Sequence, residues 1–324
     1  MITTIRQLSQ QLATPQFDHP ADLVRWMGAM QAQDYSMVRW ALGLRLNHPQ
    51  LSTIEEALRK GEIVRTHIMR PTWHLVPAED LRWMLTLSCD RLQLTNESYA
   101  KYMKVPDMAY NKYYDLLGKT LAGNRHLTKQ EITEEFNQLG FKTDAPMIAR
   151  LLFHAESEGM VCSGIDKGRK ATYALVEERI PVKKELHKEE ALAKLATRYF
   201  RSHSPASLQD FTWWSGLTVK DARKAILLID QELSKETINN QELYFHHSYK
   251  GHTIEKDVIH LMPPFDEYLI SYKDRTAALS LEDYPKAFNN FGIFYPVILY
   301  NGQIVGNWKK SIKKRRSHHK HFLL

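Results

Sequence analysis

Only two cysteines, Cys89 and Cys162, occur among the 324 residues. They are too few and too far apart for a disulfide framework or a CxxC zinc site. There is no secretory leader and no run of about 18 apolar residues, so a soluble, cytoplasmic protein is expected rather than an exported or membrane-spanning one. The paired histidines at 246–247 and 318–319 lack the neighbouring ligands a metal needs, and neither metal nor cofactor is expected. No heptad repeat marks a dimerisation helix, so a monomer without an obligate protein partner is expected.

An excess of one charge is also missing from most of the chain. The formal net charge is +7. Lys309, Lys310, Lys313, Lys314, Arg315, Arg316 and Lys320 supply seven basic residues near the C-terminus with no acid among them. Setting them aside leaves 37 basic residues against 37 acidic ones. The body is neutral and the pI of 9.1 reports the tail. Binding to nucleic acid must therefore be argued from local clusters and motifs.

What is present is an ordinary globular composition, 43% hydrophobic and 25% charged, on a chain long enough for two or three compact units. One stretch breaks its local pattern: Met27–Tyr35, M-G-A-M-Q-A-Q-D-Y. An apolar helix starting after Pro20 places Leu23, Trp26, Met27 and Met30 on one face at about 100° per residue. Continued through the glutamines, that wheel sets Gln33 about 60° from Met30 on the same face, with Gln31 on the opposite margin. Primary amides at the edge of a buried stripe mark a place where function is expected. The bland alternative is a helix end with two solvated glutamines.

Ser36 is placed to cap the next helix, which carries Met37, Trp40, Ala41 and Leu44. Ser52 and Glu55 stand in capping-box register for another, ending near Gly61. Ile63–Val76 is rich in β-branched and aromatic residues, with Pro71 at the turn between two short strands. It carries Arg65, His67, Arg70 and His74, a dense set of cationic or switchable groups for a ribbon. Residues 78–118 read as helical, with a break at Pro106. Helices followed by a ribbon describe a winged helix, and the pattern recurs twice. In the second instance Thr128 and Glu131 form a capping box, helices end at Gly140 and Gly159, and strands at Met160–Gly164 and Ala171–Val176 make the wing. After a charged connector at Arg179–Lys188, a third has the Trp213-Trp214-Ser215-Gly216 turn, Thr218 as a cap, and strands at Thr237–Asn239 and Glu242–Phe245. From Ile259 the pattern gives a loop and a short acidic, aromatic helix. Strands at Tyr295–Tyr300 and Gln303–Trp308 follow, joined by Asn301-Gly302. The expected fold is α+β and mainly helical. It places winged helix 1 at 1–90, a helical connector at 91–120, winged helix 2 at 121–180 and winged helix 3 at 181–258. A β-containing segment at 259–324 packs back on the core and ends in the basic tail 309–324.

Four motifs now stand in order along the chain. They are Gln31-Ala32-Gln33-Asp34; Arg65-Thr66-His67-Ile68-Met69-Arg70-Pro71-Thr72-Trp73-His74; Pro264-Phe265-Asp266-Glu267-Tyr268 through Tyr272-Lys273-Asp274-Arg275; and Gly302-Gln303-Ile304-Val305-Gly306-Asn307-Trp308. With them the chain resembles the AlkZ-type winged-helix DNA glycosylases, bacterial enzymes related to the azinomycin-resistance glycosylase. The resemblance implies three winged-helix units forming a clamp around damaged double-stranded DNA, in the bacterial cytoplasm at the nucleoid. It implies hydrolysis of the N-glycosidic bond of alkylated purines, chiefly N7-alkylguanines, with interstrand crosslinks included in some members. The family's catalytic pair, Q-x-Q or Q-x-D, maps onto Gln31 and Gln33 and makes this chain the Q-x-Q type.

Glutamines suit that chemistry. An N7-alkylated guanine is cationic and leaves readily, so the remaining task is to hold a water near C1′ and stabilise an oxocarbenium-like sugar. An amide oxygen accepts from the water and the NH2 donates to DNA, which is positioning and electrostatics rather than general-base catalysis. On this reading Arg65, His67, Arg70 and His74 are DNA-binding candidates. His67, Arg70 and His74 line a DNA-facing side near the glutamine pair, and Lys309 and Lys310 add phosphate contacts. Asp266 and Asp274 are candidate electrostatic support for the sugar cation, set against capping and pairing with Arg275 or Lys273. Tyr268 and Tyr272 are expected in the core. The chain departs from the family at its end: members continue some tens of residues past the G-x-W strand, whereas this sequence closes in K-K-S-I-K-K-R-R-S-H-H-K-H-F-L-L. That is either a truncated or frame-shifted terminus or a basic arm. The rival function is a non-catalytic tandem winged-helix DNA binder or transcriptional regulator, because winged helices most often only bind.

Overall fold

A computed structural model describes residues 1–102, 104, 110–180, 185–249, 257–313 and 316–323, with side chains described as far as residue 311. The chain divides into two compact units. One comprises Met1–Ile54 with Leu192–Leu324, and the other Glu55–Ala191. Residues 1–90, expected as the first winged helix, are thus shared between the two.

The first unit opens with α1 (Ile2–Ser9) and α2 (Pro20–Met27). Pro20 occupies the first helical position, where its fixed φ is already helical and its missing N–H costs nothing. A two-residue strand, β1 (Met30–Gln31), and α3 (Val38–Gly43) follow. Asp34, not Ser36, holds the start of α3: its Oδ1 accepts from the Ser36 and Met37 backbone N–H groups, both at 3.0 Å. Ser52 is likewise not a cap. α4 (Leu51–Lys60) has already begun there, its first turn closing from the Ile54 N–H onto the Gln50 carbonyl.

The second unit contains β2 (Ile63–Ile68) and β3 (Thr72–Pro77), an antiparallel ribbon that pairs His67 with Trp73 and Thr66 with His74. α5 (Leu81–Tyr102) and α6 (Tyr110–Leu121) come next; Pro106, the expected break, lies outside the described residues. α7 (Lys129–Gln138) carries the Thr128–Glu131 capping box. In α8 (Ala145–Ser157) Asp144 caps the Met147 N–H at 2.9 Å. β4 (Val161–Ser163) and β5 (Tyr173–Leu175) form a short antiparallel ribbon, and α9 (Val176–Arg179) ends this stretch. Leu117, Ile132, Phe136, Ile148, Leu151 and Val161 make a fully buried core here. The charged connector falls partly at 181–184, outside the described residues.

From Leu192 the first unit resumes with α10 (Lys188–His203), α11 (Leu208–Ser215) and α12 (Val219–Leu228). Ser207 and Asp210 form a second capping box, and Thr218 caps α12. The ribbon of β6 (Leu233–Ile238) and β7 (Gln241–His246) follows. Residues 259–262, expected as loop, are β8 (Ile259–Met262), paired from Ile259 with Tyr300 to Met262 with Val297. Indole N–H groups of Trp40 and Trp308 donate to the Leu261 and Met262 carbonyls, each at 2.7 Å, and hold that strand down. After α13 (Glu267–Ile270) and α14 (Tyr284–Ala287) come β9 (Val297–Tyr300), β10 (Gln303–Lys313) and β11 (Arg316–Leu323). They complete a four-stranded antiparallel sheet in the order β11-β10-β9-β8. Within the basic tail, residues 309–313 and 316–320 pair with each other across β10 and β11. Tyr268 and Tyr272 are buried in the core, as expected. No helix among the described residues is long and apolar enough to cross a membrane.

Candidate active site

The Gln31–Gln33 segment is not helical. α2 stops at Gly28, whose φ of 80° and ψ of −57° lie in the γ-turn region that side-chain-bearing residues avoid. That turn ends the wheel that would have placed Gln33 beside Met30. Instead the chain leaves as β1, and its neighbours are pulled inward: Ala29, Met30 and Ala32 are buried. Gln31 is 5% exposed, and its Oε1 has no hydrogen-bond donor among the described residues. Gln33 is exposed. One amide thus sits inside the protein with an open acceptor, while the other reaches solvent.

Beneath Gln31 lies a buried carboxylate that the sequence did not single out. The Gln31 backbone N–H donates to Glu267 Oε1. Glu267 Oε2 accepts from the Ser271 hydroxyl and from the Trp214 indole N–H, the latter at 3.3 Å. His203 Nε2 is 3.6 Å from the same oxygen. Burial holds His203 below the ordinary histidine range, partly opposed by Glu267. Tyr199 stacks on His203 with ring centroids 4.8 Å apart, and the Tyr272 hydroxyl donates to the His203 carbonyl at 3.0 Å. Glu267 was visible only as one letter of the Pro264–Tyr268 motif. An acid in a segment of buried apolar neighbours is the signal that would have found it.

Asp266, the adjacent candidate, is committed elsewhere. Its two carboxylate oxygens face the Arg45 guanidinium at 2.7 and 2.9 Å, in a pair almost wholly buried, and one of them also caps the Tyr268 N–H at 2.9 Å. The partner is Arg45 rather than Arg275 or Lys273. Asp274 Oδ1 accepts from the Thr276 N–H and hydroxyl at 2.8 and 2.7 Å, a local turn at the surface. Lys309 and Lys310 are exposed on β10.

In the second unit the ribbon sorts its cations by register. Because side chains alternate along a strand, Arg65 and His67 point to one face with Trp73, whereas His74 pairs with Thr66 on the other. His74 is 1% exposed, and its Nδ1 contacts the Thr72 carbonyl oxygen at 2.9 Å. The expectation that His67 and His74 line one surface is thereby corrected. His67 Nδ1 meets Glu156 Oε2 at 2.6 Å, and its ring lies 3.7 Å from Trp73 and 4.5 Å from Phe153 between centroids. Arg65 is stacked 4.0 Å over Trp73. Arg70 is half-buried in the turn. Among the described residues no group of three His, Cys, Asp or Glu is arranged to hold a metal ion.

The family described as "DNA glycosylase AlkZ-like" matches residues 24–319. An interstrand DNA cross-link repair glycosylase from Streptomyces sahachiroi is 21% identical over 305 residues, covering 89% of this chain and 81% of its own. The solved structure of the Streptomyces sahachiroi DNA glycosylase AlkZ superposes with a TM-score of 0.79 at 20% identity, over 99% of this chain and 90% of that one. The two share a fold.

Proposed function

We propose a substrate and a mechanism from one premise: the chain belongs to the DNA glycosylase AlkZ-like family. It is a DNA glycosylase, its partner is DNA and its reaction is hydrolysis of an N-glycosidic bond. Membership selects the enzyme over the non-catalytic DNA binder.

The substrate we assign is an alkylated purine in duplex DNA, chiefly N7-alkylguanine, on which the protein acts as a monomer. Interstrand crosslinks, named for the Streptomyces relative, fall within the same chemistry when they join through a guanine N7. The three helix-and-ribbon stretches act as winged helices on the duplex. Gln31 and Gln33 are the catalytic pair. The observation that carries this reading is the buried Gln31 Oε1 with no donor among the described residues. An unfilled acceptor inside a protein is costly, and a water attacking C1′ would complete it. Gln33, exposed, is free to meet the DNA strand or the same water. Neither amide takes a proton at neutral pH. The leaving group must therefore already carry its charge, and undamaged purines should be left intact. His67, held by Glu156, and Arg70 in the turn are the ribbon residues we assign to DNA contact, with Arg65 supporting the His67 face through Trp73. Lys309 and Lys310 are assigned to phosphates.

The reading is tested by incubating the protein with a duplex containing N7-methylguanine and heating in alkali. Strand breaks are expected with the wild type and are expected to disappear in Gln31→Ala and Gln33→Ala. A wild type that yields no breaks at any enzyme concentration overturns it.

A further inference from the structure

Glu267 has an unusual set of partners for a buried acid. It is 2% exposed, and a carboxylate so far from water persists only where donors replace its hydration. Two of those donors are side chains from separate places, the Trp214 indole on α11 and the Ser271 hydroxyl that follows α13, with His203 at the end of α10 alongside. A further donor is the main chain of Gln31. That hydrogen bond ties the acid to the main chain at residue 31. It acts here on the peptide that sets the Cα–Cβ direction of Gln31. The Gln31 side-chain oxygen, by contrast, has no donor of its own among the described residues. The aim of the amide therefore depends on the backbone, and two features that hold that backbone bear on it. One is Gly28, where an added Cβ would lie 3.3 Å from Arg198 Cβ and 3.5 Å from the Trp214 ring. The other is Glu267.

We propose that Glu267 is a positioning residue of the glycosylase reaction. Its carboxylate fixes the Gln31 peptide, and Trp214 and Ser271 fix the carboxylate. This rests on the assignment of Gln31 to catalysis. Glu267→Gln keeps the side-chain shape, but an amide accepts on one side only, so either the Gln31 N–H or the Trp214 and Ser271 donors lose their acceptor.

The test is a double-mutant cycle on single-turnover release of N7-methylguanine, using wild type, Glu267→Gln, Gln31→Ala and the double variant. A misplacement of about 1 Å at a reacting group costs up to about 100-fold. Glu267→Gln is therefore expected to lower the maximal rate by about 10- to 100-fold, with the half-saturating DNA concentration unchanged. In the Gln31→Ala background the same substitution is expected to add no further loss, because the residue acts through Gln31. Ser271→Ala, which removes one donor to the carboxylate, should give a smaller loss that also vanishes in that background. It decides the matter if Glu267→Gln fails to fold by circular dichroism. Losses that multiply in the double variants overturn the positioning role, as does a wild-type rate in folded Glu267→Gln. A wild type that releases no base overturns the functional assignment and the positioning role together, whereas an active wild type beside an equally active Glu267→Gln overturns the positioning role alone.

Discussion

Gln31 and Gln33 are separated by one buried alanine yet live in different environments. Gln31 is enclosed with an open acceptor, and Gln33 is exposed. A role for Gln33 that consists of accepting from a water or donating to DNA asks for a polar oxygen at that place more than for an amide as such. Gln33→Asp is accordingly expected to keep N7-methylguanine release, matching the Q-x-D pattern that the family resemblance implies. Gln33→Ala is expected to lose about 100-fold or more, the scale of removing one positioned polar group, with no change in thermal midpoint because the side chain is exposed. Rates and melting curves of the two variants check this. Asp266 shows why an acid near a candidate site need not act there. Its charge is matched by Arg45 in a buried bidentate pair, so it offers little net field to a sugar cation.

At the scale of elements, the turn at Gly28 decides what the glutamine segment is. Leu23, Trp26, Met27 and Met30 fit one stripe of period 3.6, and that stripe alone would continue α2 through Gln33. A glycine at a φ of 80° overrides that stripe by turning the chain. Gly28→Ala combines a strained backbone with the 3.3 Å approach to Arg198 Cβ. It should cost about 1–3 kcal/mol of stability and lower the excision rate, measured by urea unfolding alongside single-turnover kinetics. Helix starts were partly legible in sequence: Thr128 with Glu131, and Thr218, each cap the helix their spacing suggested, whereas Ser36 gives way to Asp34 and Ser52 lies inside a helix already begun. The features that were not legible depend on distant partners. β8 is a strand because β9 and two indoles pair with it, and Glu267 matters because residue 31 lies on it. The His67 and His74 faces were decided by a register that spacing alone left open.

At the scale of the molecule, burial sets the response to pH. Desolvation holds His126, His154, His203, His246 and His260 below the ordinary histidine value of 6.5. The unfolded chain takes up these protons as pH falls through 6.5, while the folded protein resists them. The unfolded state then binds more protons, and stability is lost on the acid side. The thermal midpoint is expected to fall between pH 7 and pH 5; a flat profile would contradict this. Charge is distributed just as unevenly, with a neutral body and a cationic C-terminus. If Lys309 and Lys310 each neutralise a phosphate, replacing both by alanine should flatten the log–log salt dependence of DNA binding by about 1.8, at roughly 0.9 per contact. The measurement that bears most directly on the account is the single-turnover rate of N7-methylguanine release between pH 7 and pH 9. Two neutral amides acting on a leaving group that is already cationic predict a rate that stays level across that range. A rate that climbs tenfold per pH unit would reveal a titrating base and contradict the assignment of catalysis to Gln31 and Gln33.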